Sequence, residues 1–250
     1  MNTVIALELK GQPDITDPPV FVTEYDQFTD SIRVIASSNR EKVEIRYAFG
    51  TTDPGSASPL YSGPFTLKEP ARVGIRCFRD GKPVSATVWR EFRKVIPVPA
   101  LPERMPGHPS LPGLRYRYYE GEWDSLPDFN ALKPVRSGIQ TDFGFSKRSQ
   151  DERFAFVYEA LVNIPETGVY TFFTASDDGS GLWIDGTQVV NNDGLHGMQE
   201  KQGDVALEKG HHRLRVEFFE RTGSDLLTVS VRSATMPKKE LPAQWMYIPD

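Results

Sequence analysis

The sequence predicts an all-β protein made of two β-sandwich domains joined by a proline-rich linker, and three observations carry that expectation. Short apolar runs alternate with polar residues at period two, the mark of half-buried strands. Twenty Gly and twenty Pro punctuate the 250 residues, with no long segment at helical period. Asp-Gly steps recur where a hairpin must reverse, because glycine has no Cβ to clash at positive φ.

The bulk properties narrow the function classes. A length of 250 residues allows one large or two ordinary domains, each able to bury a core without staples. No apolar run approaches the roughly 18 residues needed to cross a bilayer. A net charge of −5 argues against nucleic acid as a partner, since phosphate neutralisation needs a basic face. The small groups Arg90, Arg93, Lys94 and Lys238, Lys239 read as solvated charge. Cys77 is the single cysteine, which excludes an internal disulfide and a cysteine metal cluster; between Ile75 and Phe78 it reads as a small core residue. The N-terminus lacks the pattern of a secretory signal.

Residues 1–19 read as a lone strand, Val4 to Leu9, running into a Pro- and Asp-rich stretch. The expectation is the terminal strand and linker of an upstream domain, so that the chain begins within a longer protein. Regular alternation starts at Val20. Ile32, Val34 and Ala36 share one face, as do Val43, Ile45 and Tyr47, and the Asp80-Gly81 step predicts a hairpin within residues 72–92. A first sandwich is expected over 20–95. The run from Ile45 to Leu67, IRYAFGTTDPGSASPLYSGPFTL, followed by RVGIRCFRDGKPVS, resembles the chitobiase/β-hexosaminidase C-terminal domain, a fibronectin-type-III-like sandwich. That resemblance implies a module appended to a polysaccharide-degrading enzyme, with no catalytic residues of its own.

Residues 96–113 hold a cluster of prolines that resists helix and central strand and predicts a semi-rigid spacer. A PxxP ligand for a proline-recognising domain is the rival reading. The second domain is expected over 114–250. It opens on the aromatic run LRYRYYEGEWDSLPDF, continues through RFAFVYEALVNIPETGVYTFFTAS with Phe154, Phe156, Tyr158 and Ala160 in alternation, and later sets Leu214, Val216 and Phe218 inward. The tail LPAQWMYIP predicts a closing strand.

Within this domain, Tyr170 to Gly194 concentrates the chemistry: the pair Asp177-Asp178 and the steps Asp178-Gly179, Asp185-Gly186 and Asp193-Gly194. Acidic oxygens gathered on a rigid loop suit a hard cation such as calcium. The bland alternative is that these aspartates cap tight turns through their own backbone. Trp183, and Trp123 in the first loop, offer ring faces that could stack on a pyranose, or could simply pack in a core. Asn191, Asn192 and Asp193 form a polar turn that could border the same rim. His196 is a further candidate for the acidic site, whereas His211 and His212 would point to opposite faces of a strand.

The segments YYEGEWDSLPDF, IPETGVYTFFTASDDGSGLWIDG, NNDG and LEKGHHRLRVEFFERTG together resemble the PA14 domain family, found in bacterial toxins, glycosidases and flocculin adhesins, over about residues 114–248. In the adhesin branch, two aspartates joined by a cis peptide hold a calcium ion that binds sugar hydroxyls. The resemblance carries this onto Asp177 and Asp178. The family takes a further ligand, an Asn, from a later loop; the loop Arg221–Asp225 has none, and Asp225 stands in its place.

Catalytic patterns are lacking: there is no nucleophile elbow, no phosphate-cradling glycine loop before a helix and no HExxH. The expectation is a pair of non-catalytic modules that bind or position a glycan for a glycoside hydrolase, with Asp177, Asp178, Trp183 and Asn192 contacting sugar and Asp177, Asp178 and Asp225 holding calcium. The segment NTVIALEL faintly resembles the end of α-L-fucosidase-type β-domains. The families imply a periplasmic, cell-surface or extracellular location as part of an exported protein. The rival expectation is a structural spacer or shield with no ligand of its own.

Overall fold

The computed structural model describes residues 17–102 and 111–249, and the chain divides into two compact units after Lys94. The strand expected at Val4 to Leu9 and the middle of the proline cluster, with His108, lie outside the described residues.

The first unit carries β1 (Val20–Phe21), β2 (Gln27–Phe28), β3 (Ile32–Val34), β4 (Ala36–Ser37), β5 (Glu44–Phe49), β6 (Phe65–Leu67), β7 (Ala71–Arg79), β8 (Lys82–Pro83) and β9 (Val88–Lys94). One sheet runs β2-β9-β7-β5 with β8 on β7, and β3-β6 and β1-β4 form small pairs beside it. The alternation read from sequence holds: Ile32, Val34 and Ala36 are buried, as are Val73, Ile75 and Cys77 on the inward register of β7. Asp80 and Gly81 both take positive φ, 49° and 73°, and turn β7 into β8. Ile45 and Tyr47 are only half-buried because this end of the core is closed by an aromatic group in which Tyr47 stacks on Phe65 at 4.8 Å.

The second unit carries β10 (Leu114–Glu120), β11 (Arg136–Gln140), β12 (Phe154–Ile164), β13 (Gly168–Asp177), β14 (Ser180–Ile184), β15 (Thr187–Asn192), β16 (Gln199–Leu207), β17 (Gly210–Glu220), β18 (Leu226–Ser233), β19 (Met236–Glu240) and, after a short 3-10 turn, β20 (Met246–Tyr247). One sheet runs β11-β10-β12-β17-β14-β15 with β20 on β12, and a second runs β16-β13-β18-β19. Between them lies the main core, in which Phe156, Tyr158, Phe172, Leu182, Val216 and Val231 are almost fully buried. Where β15 bulges, the carbonyl of Val189 sits so close to Gly203 that a Cβ there would meet it at 1.8 Å. Glycine at 203 therefore lets the edges of the two sheets touch.

The outer face of β12 is also buried. Ala155 and Val157 join Tyr119, Phe129 and Phe219 in a second core, covered by Trp123, Leu126 and Leu132 from the loop after β10. The proline segment behaves differently from a free spacer. Val98 bridges Leu207 in parallel, with its N–H on the Ala206 carbonyl at 2.8 Å and its carbonyl accepting from Glu208 N at 3.0 Å. Leu101 N then donates to the His211 carbonyl at 2.8 Å. Proline does not forbid this, because Val98 and Leu101 keep the N–H groups that the edge requires.

Candidate functional site

The site lies where β13 hands over to β14. Tyr170 and Phe172 face the core, so by period two Ser176 also faces in and Asp177 faces out. The Asp177–Asp178 peptide bond is cis. At Gly179 the role of glycine is close approach, not positive φ: a Cβ would lie 2.4 Å from the Phe219 ring and 2.9 Å from the Gly194 backbone. This corrects the expectation that all three Asp-Gly steps reverse through positive φ. Asp185-Gly186 does, at 48° and 82°, and so does Gly194, at 108°.

Asp178 is buried, and two backbone donors fix its carboxylate. His196 N donates to Oδ1 and Arg221 N to Oδ2, both at 3.1 Å. Beneath it lies Glu220, which is 0% exposed. Glu220 Oε2 accepts from Asp178 N at 3.1 Å, while Oε1 is buried with no hydrogen-bond partner. One oxygen each from Asp177, Asp178 and Glu220 lie within 4.8 Å of one another. Burial, then the Asp178 charge, pushes the Glu220 carboxyl up to about 8. Burial and Asp178 raise Asp177 as well, with His196 pulling the other way.

The walls are tied to these groups. Arg221, whose N–H reaches Asp178, pairs its guanidinium with Asp124 and with Glu122 at 3.0 Å. Leu126 N donates to Asp193 Oδ1 at 2.7 Å, fastening the loop after β10 to the loop after β15. Leu195, Met198 and Leu226 are exposed apolar residues on segments that contribute to the site: the first two flank His196, and Leu226 pairs with Asp177.

The residues expected from sequence are placed unevenly. Asp177 and Asp178 come together as read. Asp225 is close enough for its charge to raise Asp177 and Glu220, but Arg148 grips its carboxylate, and the group of three carboxyls does not include it. Asn192 is corrected from rim to interior: it is 2% exposed, donating to Ser176 Oγ at 3.0 Å and to the Gln199 carbonyl at 3.1 Å. It shares the inward register with Val190, which explains its direction. Trp183 lies half-buried on the outer face of β14, its ring laid over Gly181, where a Cβ would meet it at 2.5 Å. Trp123 covers Gly121 in the same manner. His196 enters through its backbone, while its ring nitrogens face the carbonyls of Gly197 at 2.9 Å and Asn192 at 3.0 Å.

Sequence reading missed Glu220. The signal was present in the alternation: Leu214, Val216 and Phe218 point inward, so Glu220 must as well. A carboxylate on the core-facing register is costly unless something satisfies it.

The fold and the site define an all-β protein: a sandwich whose acidic tip gathers three carboxyl groups, preceded by a second, smaller β unit. The chain belongs to the PA14 domain family, whose model matches residues 110–245, and a model described as Fn3 associated matches residues 34–92. This agrees with the expected PA14 and fibronectin-type-III-like pair. Among curated proteins, the anti-sigma-I factor RsgI3 of Acetivibrio thermocellus is 24% identical over 144 residues, covering 55% of this chain and 22% of that protein. The chain thus spans about a fifth of the length of the curated relative it matches. Among solved structures, the PA14 sugar-binding domain from an RTX adhesin is similar at 15% identity, covering 56% of this chain and 100% of that one with a TM-score of 0.49. An anti-sigma factor domain-containing protein from Clostridium clariflavum is similar at 13% identity, covering 93% of this chain and 83% of that one with a TM-score of 0.47. No helix among the described residues is long and apolar enough to cross a membrane.

Proposed function

We propose that the second unit is a calcium-dependent glycan-binding module, with Asp177, Asp178 and Glu220 holding the ion. The observation that carries this reading is Glu220 Oε1, a buried carboxylate oxygen with no partner beside two further carboxyl groups. A hydrogen-bonding carboxyl buried without a partner costs about 1–3 kcal/mol or more, and an oxygen-seeking cation is the ligand that repays it. Asp178 is held by two N–H groups, so its lone pairs are already aimed when an ion arrives. Calcium takes six to eight oxygens, so an ion on three carboxylates has positions left for a pair of sugar hydroxyls. Exposed Leu195, Met198 and Leu226 fit the C–H face of a pyranose, which is apolar. Membership of the PA14 family, whose adhesin domains bind carbohydrate, supports the same ligand class.

In this reading the two units act as accessory modules without catalysis of their own, placing a larger exported protein on a glycan. A glycoside hydrolase upstream is the partner that the module pairing suggests. The curated relative's name gives a second reading, in which the modules serve an anti-sigma factor. Titration calorimetry of the chain against a panel of neutral glycans, with calcium and with EDTA, tests the proposal. The expected result is calcium binding by the wild type, sugar binding only with calcium, and loss of both in Glu220→Gln. Silence toward every sugar and an unchanged melting temperature on adding calcium would leave the units as spacers.

A further inference from the structure

At the end of β14 away from the acidic cluster, a second polar group is buried. His212 is 0% exposed, on the inward register of β17, and both of its ring nitrogens face acceptors. Nδ1 lies 2.7 Å from Asp185 Oδ2 and Nε2 lies 2.9 Å from the Glu208 carbonyl. A neutral imidazole carries one N–H, so it can satisfy one of these acceptors and must turn a lone pair on the other. An imidazolium satisfies both. The titratable and charged groups around it are Asp185 from the β14–β15 turn, Glu208 and Lys209 from the β16–β17 turn, His211 and Arg213 on its own strand, and Tyr247 from β20. Asp185 is the group in contact, and its other oxygen accepts from Arg213 N at 2.8 Å. Burial of the ring is the largest single influence and opposes its charge, but the hydrogen bonds to Asp185 and the Glu208 carbonyl, together with the charges of Asp185 and Glu208, outweigh it and hold the pKa above its ordinary value.

Glu208 connects this pair to residues 95–101, the first stretch of the second unit. Its carbonyl accepts from His212, and its N–H donates to Val98 O at 3.0 Å. The neighbouring Ala206 carbonyl accepts from Val98 N, and the His211 carbonyl accepts from Leu101 N. The segment Val95 to Leu101 carries no charge of its own and is held at this turn by these backbone bonds and by Ala100 N, which donates to Glu208 Oε2 at 3.4 Å.

We propose that His212 and Asp185 form a proton-operated fastener for residues 95–101: the protonated pair holds the Glu208 peptide in the position that receives Val98, and loss of the proton releases it. The remaining proton stays on Nδ1, because the ionised Asp185 oxygen is a stronger acceptor than a peptide carbonyl, so deprotonation leaves Nε2 and the Glu208 oxygen as two acceptors face to face at hydrogen-bond distance. The Glu208 peptide must then rotate or move away, and the N–H that binds Val98 moves with it.

Nuclear magnetic resonance on the whole chain tests this. The His212 imidazole shifts give its protonation state, and amide exchange gives protection factors for Val98, Leu101 and Glu208, corrected for the intrinsic pH dependence of exchange. The expected result is full protection while His212 carries both protons and a loss of about tenfold or more through its own titration midpoint. His211 is distinguished by its separate shifts. His212→Gln should show protection that does not change with pH. If that variant does not fold, the wild-type titration decides alone. Titration of His212 with no change in protection of Val98 and Glu208, or a His212 ring already neutral at pH 5, would overturn the proposal.

Discussion

Asp178-Gly179 and Asp185-Gly186 stand at the two ends of one short strand, β14, and their aspartates are held alike. Each carboxylate accepts a hydrogen bond at both oxygens. The difference lies behind them, on β17. Its inward register runs His212, Leu214, Val216, Phe218, Glu220, so one tip meets an imidazole and the other meets a carboxyl group. The first tip is electrically matched and closed. The second is an excess of negative charge with an unused oxygen, the feature on which the proposed ion site rests. An Asp-Gly hairpin thus has no fixed role, and the polar residue at the matching end of the strand behind it assigns one.

Substitutions at the two tips should separate accordingly. The largest effect is expected for Asp178→Ala, which orphans the N–H groups of His196 and Arg221 and removes a carboxylate from the acidic cluster. A loss of about 2–4 kcal/mol of stability is expected in denaturant unfolding, with no rise in melting temperature on adding calcium. A calcium-dependent rise that survived would remove Asp178 from the ion site.

Next in size is Asp185→Asn, which leaves the buried His212 without its counter-charge. Breaking such a pair costs about 3 kcal/mol, and the effect should depend on pH. Folding raises the His212 pKa, so its contribution is whole below the ordinary value of 6.5 and fades as pH climbs through the folded value. The opposing burial of Asp185 is outweighed by the hydrogen bonds from His212 and Arg213 N together with the charges of His212 and Arg213, which lower its pKa; its contribution is whole above the ordinary 3.8 and fades as pH falls through the folded value. The wild-type stability advantage over Asp185→Asn should therefore be greatest between about pH 4 and 6.5 and narrow on either side. An advantage that is flat from pH 4 to 9 would mean the pair does not titrate with folding.

The smallest effects separate the two glycines. Gly179→Ala drives a methyl into Phe219 and the Gly194 backbone and should cost about 1–3 kcal/mol. Gly186 has positive φ and open space around it, so Gly186→Ala should cost about 1 kcal/mol from backbone strain alone. Equal losses in thermal unfolding would contradict the distinction between a crowded tip and a merely left-handed one.

The architecture was readable where chemistry is local. Asp80-Gly81 and Asp185-Gly186 turn as their residues demand, and the inward sets Ile32, Val34, Ala36 and Leu214, Val216, Phe218 are buried as period two requires. Features built by distant chain were not readable. Alternation in β12 suggested one buried face, but the loop from Trp123 to Leu132 covers the other, which no local pattern announces. The proline cluster looked like a spacer because its composition resists regular structure, whereas two N–H groups suffice to seat its first part on β16 and the start of β17. At the site, Asp177 and Asp178 were conspicuous as a pair. Glu220 and Asn192 were hidden by their setting, a glutamate inside an alternating strand and an asparagine beside a turn, although the register of each pointed inward.

The tryptophans laid over glycines also make the two units optically separable. Trp89 lies across Gly74, with the Arg72 guanidinium 4.8 Å from its ring, and it is the only tryptophan before Lys94; Trp123, Trp183 and Trp245 all follow it. Replacing those three with phenylalanine would leave one emitter whose colour and quenching report the first unit alone. Unfolding of the first unit could then be followed inside the intact chain while the second is titrated with metal or sugar.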